Sequence, residues 1–233
     1  MIMLADRLLK AAELIGTAET LADVGCDHGY LPIYLLQKGK ISFAYACDVR
    51  DGPLQTAKKN IDRYGLSEKT ELIKSDGLIG IREKNADVIS VCGMGGRLIS
   101  KIINESEQCA KKAKRLVLQP MTEIYLLRKF LSENGFKIQR EVIAKEGSRF
   151  YNVMCVSEGE ETNKDLFSLY FGGCLTEQGD PFLLPYLSNH YRILSAVLRA
   201  KYGREDTTET EYLTKKLDKT IKSIKLRKIN KKT

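Results

Sequence analysis

Five short apolar runs recur through the first half of the chain, with amphipathic stretches between them. They are TLADVGC (20–26), SFAYACD (42–48), TELIKSD (70–76), ADVISVCG (86–93) and RLVLQP (115–120). Residues 29–38, 52–64, 95–107 and 122–134 carry helical periodicity, as does the N-terminal ADRLLKAAELI. Strands alternating with helices need crossover connections, which produce a parallel sheet covered on both faces. Residues 136–158 break the rhythm with two consecutive strands, turning at Glu146-Gly147-Ser148. The fold class predicted is α/β: a doubly wound, Rossmann-like sheet that finishes in an antiparallel hairpin.

The pattern changes after Glu158, so we divide the chain into residues 1–158 and 159–233. Leu184, Leu187, Tyr191, Leu194 and Leu198 form one apolar helical stripe, and Leu213, Leu217, Ile221 and Ile224 a second. Gly203 breaks the path between them, and Thr208 with Glu211 spells a capping box. A C-terminal helical hairpin resembling a coiled coil is expected. From Thr214 to Thr233 there are nine Lys and Arg against one Asp, a surplus equal to the formal charge of the whole chain, +8. A one-signed run of this length favours a polyanion, with nucleic acid the natural partner.

No apolar run is long enough to span a bilayer, and the charged N-terminus does not read as a signal peptide. The six cysteines form no C-x-x-C pair, and the two histidines, His28 and His190, lie far apart. A reduced cytoplasmic protein with no metal site and no membrane partner is expected.

The loop after the first strand reads Gly25-Cys26-Asp27-His28-Gly29. In an open α/β sheet it lies at the carboxyl edge, where such folds bind ligands. A dinucleotide loop needs a middle glycine so that bare backbone reaches a pyrophosphate. Asp27 stands there instead, and a carboxylate repels a diphosphate. It suits a cofactor with a cationic end and no phosphates, of which S-adenosylmethionine is one. Asp48 ends the second strand, where an acidic side chain can accept hydrogen bonds from a ribose diol. Asp76, with Gly77, closes the third strand, placed to accept from an adenine amino group. Each aspartate alone is equally well a turn or cap residue. Three at successive strand ends make a far more specific set.

The segments ADVGCDHGYLP, DVRDGPLQTAKKN, SDGL, CGMGGRLI and LVLQP, in this order, resemble the bacterial tRNA adenine-22 N1-methyltransferases. The likeness runs from about Leu4 into the C-terminal helices. It implies a methyltransferase domain using S-adenosylmethionine, a coiled-coil-like C-terminal domain, and methyl transfer to N1 of adenine 22 in tRNA, in the cytoplasm. A monomer is expected. The cofactor set comprises Gly25, Asp27, His28, Gly29, Asp48, Asp76, Gly77 and Gly93, and the catalytic candidates are Asp27, Arg7 and Met94.

Methyl transfer is an in-line displacement, so the protein chiefly positions the partners and stabilises moving charge. Adenine N1 already carries a lone pair, whereas the product is cationic, so Asp27 is the leading electrostatic candidate, with cofactor binding as its competing role. Where amino-directed adenine methyltransferases carry an Asn/Asp-Pro-Pro-aromatic motif, this chain has Cys92-Gly93-Met94-Gly95-Gly96. Met94 either lines the pocket or fills it, and His28 either touches a ligand or shapes the loop. Tyr30 is expected to pack at a helix start, Asn60 to brace the Asp48 loop, and Gln119-Pro120 to reach the site rim. Lys58, Lys59, Arg97, Arg128 and Lys129 are candidates to grip RNA phosphates, and Arg7 to grip either a phosphate or the base. Two other readings remain open: a small-metabolite methyltransferase, and a non-catalytic RNA-binding protein on the same scaffold.

Overall fold

The apolar runs become five parallel strands, β1 (Thr20–Val24), β2 (Phe43–Asp48), β3 (Thr70–Lys74), β4 (Val88–Gly95) and β5 (Arg115–Thr122). The hairpin β6 (Phe136–Glu146) and β7 (Arg149–Glu158) completes a seven-stranded sheet of order β3-β2-β1-β4-β5-β7-β6. β7 is inserted antiparallel between β5 and β6. The computed structural model describes residues 2–162, 164–201 and 206–230.

Strand side chains alternate between the two faces, and helices cover both, as the near-continuous apolar runs require. Leu21, Val88, Val117 and Val153 pack with Ala11, Ile15, Leu31 and Leu35 of α1 (Asp6–Ile15) and α2 (Tyr30–Gln37). Ala22, Ile89, Leu118 and Met154 face the other way, towards Ile99, Ile103, Leu127 and Leu131 of α4 (Gly96–Asn104) and α6 (Ile124–Glu133). The remaining crossover helix, α3 (Asp51–Arg63), packs on β2 and β3. Chain direction reverses its order at the β1–β4 pair, so the two loops leaving these strands part and open a crevice between them.

Several expectations are corrected. The helix expected over 95–107 ends at Asn104, and a separate α5 runs Glu107–Lys112. Ser106 breaks it, with φ −141°, and its hydroxyl accepts Arg82 Nε at 3.1 Å. Arg128 does not meet solvent: its side chain is 2% exposed and its Nη2 donates to Glu141 Oε1 at 2.6 Å. The phosphate role expected of it is therefore withdrawn.

The chain divides into two compact units, Met1–Lys164 and Asp165–Thr233. Residues just past β7 stay with the sheet, since Gly159 N–H donates to Gly135 O at 2.9 Å. The second unit opens with two short helices that the sequence did not announce, α7 (Leu166–Phe171) and α8 (Gly173–Gln178). Two long helices follow, α9 (Leu183–Lys201) and α10 (Thr208–Asn230), packed on each other. Leu187, Leu213, Leu217 and Ile221 of the expected stripes are buried, but on α9 Leu183 and Tyr186 are the deeply buried partners rather than Leu184 and Tyr191. At the start of α10 the side chain that meets Glu211 is Thr207 and not the expected Thr208. Thr207 Oγ1 donates to Glu211 Oε1 at 2.8 Å, while Thr208 N–H and Oγ1 both donate to Asp206 Oδ1. Gly203 lies outside the described residues.

Candidate active site

A cavity of about 570 Å³ opens at the carboxyl edge of the sheet, over β1 and β4. Arg7, Gly25, Asp27, His28, Asp48, Asp76, Gly77, Gly93 and Met94 all line it. Of the predicted set, Gly29 does not. It starts α2 with φ +70°, and a Cβ there would sit 3.3 Å from Ala57 Cβ, so it serves the close approach of α2 to α3.

The β1–α2 loop hangs from the end of β2. Gly25 and Cys26 N–H both donate to Cys47 O at 2.8 Å, and Gly29 N–H donates to Cys26 O at 2.7 Å. Gly25 is demanded twice over: its φ is +74°, and a Cβ would fall 2.2 Å from Met94 Cε. The Met94 tip is thus laid over the loop, in the cavity wall. Asp27 also adopts positive φ, 49°, a conformation aspartate tolerates better than most residues. Its carboxylate is largely exposed, with His28 Nε2 at 3.5 Å. The His28 ring stacks on Tyr30, with centroids 5.2 Å apart, and Tyr30 is 39% exposed instead of packed away. Asn60 Nδ2 donates to His28 O at 2.9 Å, so it braces this loop and not that of Asp48.

Asp48 is 5% exposed at the end of β2. Its Oδ1 accepts the Arg50 N–H at 3.0 Å and lies 3.6 Å from Arg50 Nε, while Oδ2 has no donor among the described residues. Asp76 is exposed at the mouth beyond β3. On the β4 side, Gly93 (φ +79°) forms a bulge in the pairing with β5. Its N–H donates to Gln119 Oε1 at 3.1 Å, and Gln119 is itself fully buried, a brace beneath the rim and not a part of it.

Asp23 and Ser90 were missed. Asp23 is 4% exposed within β1 and in register with Ser90 of β4, whose Oγ donates to Asp23 Oδ1 at 2.6 Å. It lines the cavity floor. Burial pushes its carboxyl up to about 6, partly opposed by the Ser90 hydrogen bond and assisted by the Asp48 charge. The signal was present in the sequence: a lone carboxylate inside a run that must be buried on both faces.

The consequence for stability has a definite sign. Between the ordinary carboxylate value and about 6, the folded chain holds a proton that the unfolded chain has released. Stability from this group is therefore greatest at low pH and falls as pH rises through about 6. Asp23→Asn should remove this component, gaining up to about 3 kcal/mol over the wild type between pH 4 and pH 7. Denaturant titrations of both proteins across that range check it; parallel curves would refute it.

Burial likewise raises the Cys47 thiol to about 12 and the thiols of Cys26 and Cys92, which line the cavity, well above their usual range. All six cysteines are free. Among the described residues there is no cluster of three or more His, Cys, Asp or Glu that could hold a metal, and no helix is long and apolar enough to cross a membrane.

The model of the TrmK family, tRNA (adenine(22)-N(1))-methyltransferase, matches residues 21–223. The chain belongs to this family. A curated TrmK-family relative from Bacillus subtilis, a tRNA (adenine(22)-N(1))-methyltransferase, is 34% identical over 157 residues, 67% of this chain and 66% of the relative. The chain thus spans just under two thirds of the length of that relative. Among solved structures, a putative tRNA (m1A22) methyltransferase of Streptococcus pneumoniae in complex with S-adenosyl-L-methionine superposes with a TM-score of 0.85 at 31% identity, covering 94% of this chain and all of that one. The TrmK of M. capricolum, in complex with S-adenosyl-homocysteine, gives 0.78 at 27% identity, covering 96% and 99%.

Proposed function

We propose that this chain, a TrmK-family protein, transfers the methyl group of S-adenosylmethionine to N1 of adenine 22 in tRNA. The observation that carries the reading is the convergence of Asp27, Asp48 and Asp76, from three successive strand ends, on one cavity. The donor set fits this cofactor and opposes a dinucleotide. Asp27 and the buried Asp23 line the cavity at the loop where a pyrophosphate would have to lie.

When bound, S-adenosylmethionine supplies a methyl group activated by a sulfonium charge. Asp48 Oδ2, free of donors among the described residues, accepts from the ribose diol. Asp76 accepts from the adenine amino group at the mouth. Gly25, Gly77 and Gly93, all at positive φ, let backbone stand close where a side chain would intrude. Asp27, exposed beside His28, would offer negative charge near the positive charge that shifts from the sulfonium to the methylated ring. Adenine N1 needs no base to activate it, so these residues bind and orient and no proton transfer is assigned to them. The base must leave its stack to reach the cavity, since N1 lies on the Watson–Crick edge.

The RNA is held by phosphate contacts. Lys215, Lys219, Lys225 and Arg227 on α10 are exposed and have no carboxylate partner among the described residues. Residues 1–164 are the methyltransferase domain and residues 165–233 an RNA-gripping helical domain with coiled-coil character. The cysteines are free thiols, which supports a reducing compartment, and a monomer working in the cytoplasm is the form proposed.

The deciding experiment incubates the protein with labelled S-adenosylmethionine and tRNA lacking the modification, and in parallel with a small-metabolite pool. Label in tRNA with a reverse-transcription stop at adenine 22 is expected. Label in a metabolite, or none, defeats the reading. Changing Lys215, Lys219, Lys225 and Arg227 together to Gln should weaken tRNA binding and flatten its salt dependence. The log–log slope should fall by about 0.7–0.9 for each phosphate no longer neutralised. Affinity for S-adenosylmethionine should not follow.

A further inference from the structure

Helix α1 begins without a side-chain cap of its own; Ala5 precedes it in extended conformation. The vacancy is filled from far along the chain. Glu146, at the end of β6, accepts the Arg7 N–H on Oε1 at 3.0 Å and Arg7 Nη1 on Oε2 at 2.7 Å. One carboxylate thus satisfies an orphan donor of the helix and grips the side chain of the same residue. A third point of fixation is Tyr151 on β7, whose ring centroid lies 5.8 Å from the Arg7 guanidinium carbon.

This hold is more than stability requires. The Arg7 and Glu146 side chains are 29% and 24% exposed, and an ion pair that wet contributes only about 1 kcal/mol or less. Capping alone needs an acceptor, and an apolar residue at position 7 would pack against Tyr151 without a charge to neutralise. Instead the arginine stands in the cavity wall, with its Nε buried and without a hydrogen-bond partner. Its charge is felt at the end of β4: burial raises the Cys92 thiol, and Arg7 works against that rise. An unbalanced cation there would oppose both a sulfonium cofactor and a cationic product. Paired with Glu146, the guanidinium keeps N–H donors while its charge is offset.

We propose that Glu146 is a positioning residue that acts through Arg7, holding the guanidinium on the cavity wall so that its remaining N–H donors engage a phosphate oxygen of the substrate RNA beside the target base. This rests on the tRNA reading above. It makes the turn of the terminal hairpin part of the substrate site, a role that turn does not announce.

A double-mutant cycle tests it, with Arg7→Ala, Glu146→Ala, the double variant and Glu146→Gln. Each is measured for tRNA KM and kcat at several salt concentrations, for S-adenosylmethionine affinity, and for thermal stability. Arg7→Ala and Glu146→Ala should each lower kcat/KM for tRNA by about 10-fold or more, chiefly through KM, with a shallower salt dependence. The double variant should fall within about 2-fold of Arg7→Ala, because the second change removes nothing further. Glu146→Gln still offers an acceptor to the helix, so it should recover the thermal stability while its tRNA KM stays raised. Cofactor affinity should stay within about 2-fold in the double variant, where neither charge remains, and fall in Glu146→Ala and Glu146→Gln, where the Arg7 charge is left unbalanced in the cavity wall.

Three results overturn the proposal, the first two being an unchanged tRNA KM in Glu146→Gln and Glu146→Ala, and full additivity in the double variant, which marks Glu146 as structural. A salt-independent loss would move the contact from phosphate to base and overturn it as stated. If the wild type binds tRNA without methylating it, the functional reading fails by itself. The same cycle read as tRNA Kd then decides the role of Glu146.

Discussion

Arg128→Ala is expected to lower the unfolding free energy by about 3–5 kcal/mol, the cost of leaving a buried charge without its partner. Arg128 on α6 and Glu141 on β6 have side chains 2% and 0% exposed, and their closest contact is 2.6 Å. Asn152 of β7 donates its Nδ2 to the same Glu141 oxygen at 2.9 Å. Truncation removes the Arg128 cation from a Glu141 carboxylate that is fully buried, and the Asn152 amide on the same oxygen carries no charge to replace it. Converting both residues together, Arg128→Met with Glu141→Leu, should cost far less, because no uncompensated charge remains. Urea titrations of the single and double variants measure the difference. A single variant within about 1 kcal/mol of the wild type would show that the pair contributes no more than a surface bridge does. The location also carries a functional consequence, since the hairpin that this pair ties to α6 is the one that presents Glu146 to Arg7.

Arg128 shows where sequence reading stops. Its neighbour Lys129 is solvent-exposed, and the pair Arg-Lys on an amphipathic helix reads as a charged outer face. Nothing local distinguishes the inward arginine, because its partner lies on the next strand and becomes a partner only when the sheet closes. Asp23 stands out as a carboxylate in a buried run, but the partner that stabilises it does not, because Ser90 is 67 residues away. Glu146 was legible as a turn residue, but its bond to Arg7 joins opposite ends of the first unit.

What could be read was whatever periodicity or topology dictates. The strands announced themselves because burial on both faces demands unbroken apolar runs. The family of folds followed from their alternation with helices, and the inserted strand from the two consecutive runs after residue 135. The strand-end aspartates were legible because a parallel sheet gathers all its carboxyl ends on one edge, whatever the intervening sequence. The short helices α7 and α8, six residues each, left no trace, being too short to be stable alone and held by burial of Phe167, Phe171 and Leu175.

Asp48→Ala is expected to weaken S-adenosylmethionine binding by about 100-fold, the effect of removing two hydrogen bonds to a charged acceptor at about 1.5 kcal/mol each. The carboxylate is already oriented before any ligand arrives: Oδ1 is held by the Arg50 N–H at 3.0 Å, and Oδ2 is left without a donor among the described residues. Side-chain entropy has thus been spent in folding, and a ribose diol meets a fixed acceptor. The same substitution should not destabilise the chain. Asp48 is 5% exposed and its charge helps to raise the Asp23 carboxyl, so removing it relieves a repulsion on the cavity floor. Affinity should consequently fall while stability holds, a pattern that a general loss of packing cannot produce. Calorimetric titration with S-adenosylhomocysteine and with S-adenosylmethionine, beside thermal melts of the unliganded proteins, checks both at once. An affinity within about 3-fold of the wild type would place the ribose elsewhere and leave Asp48 a turn residue.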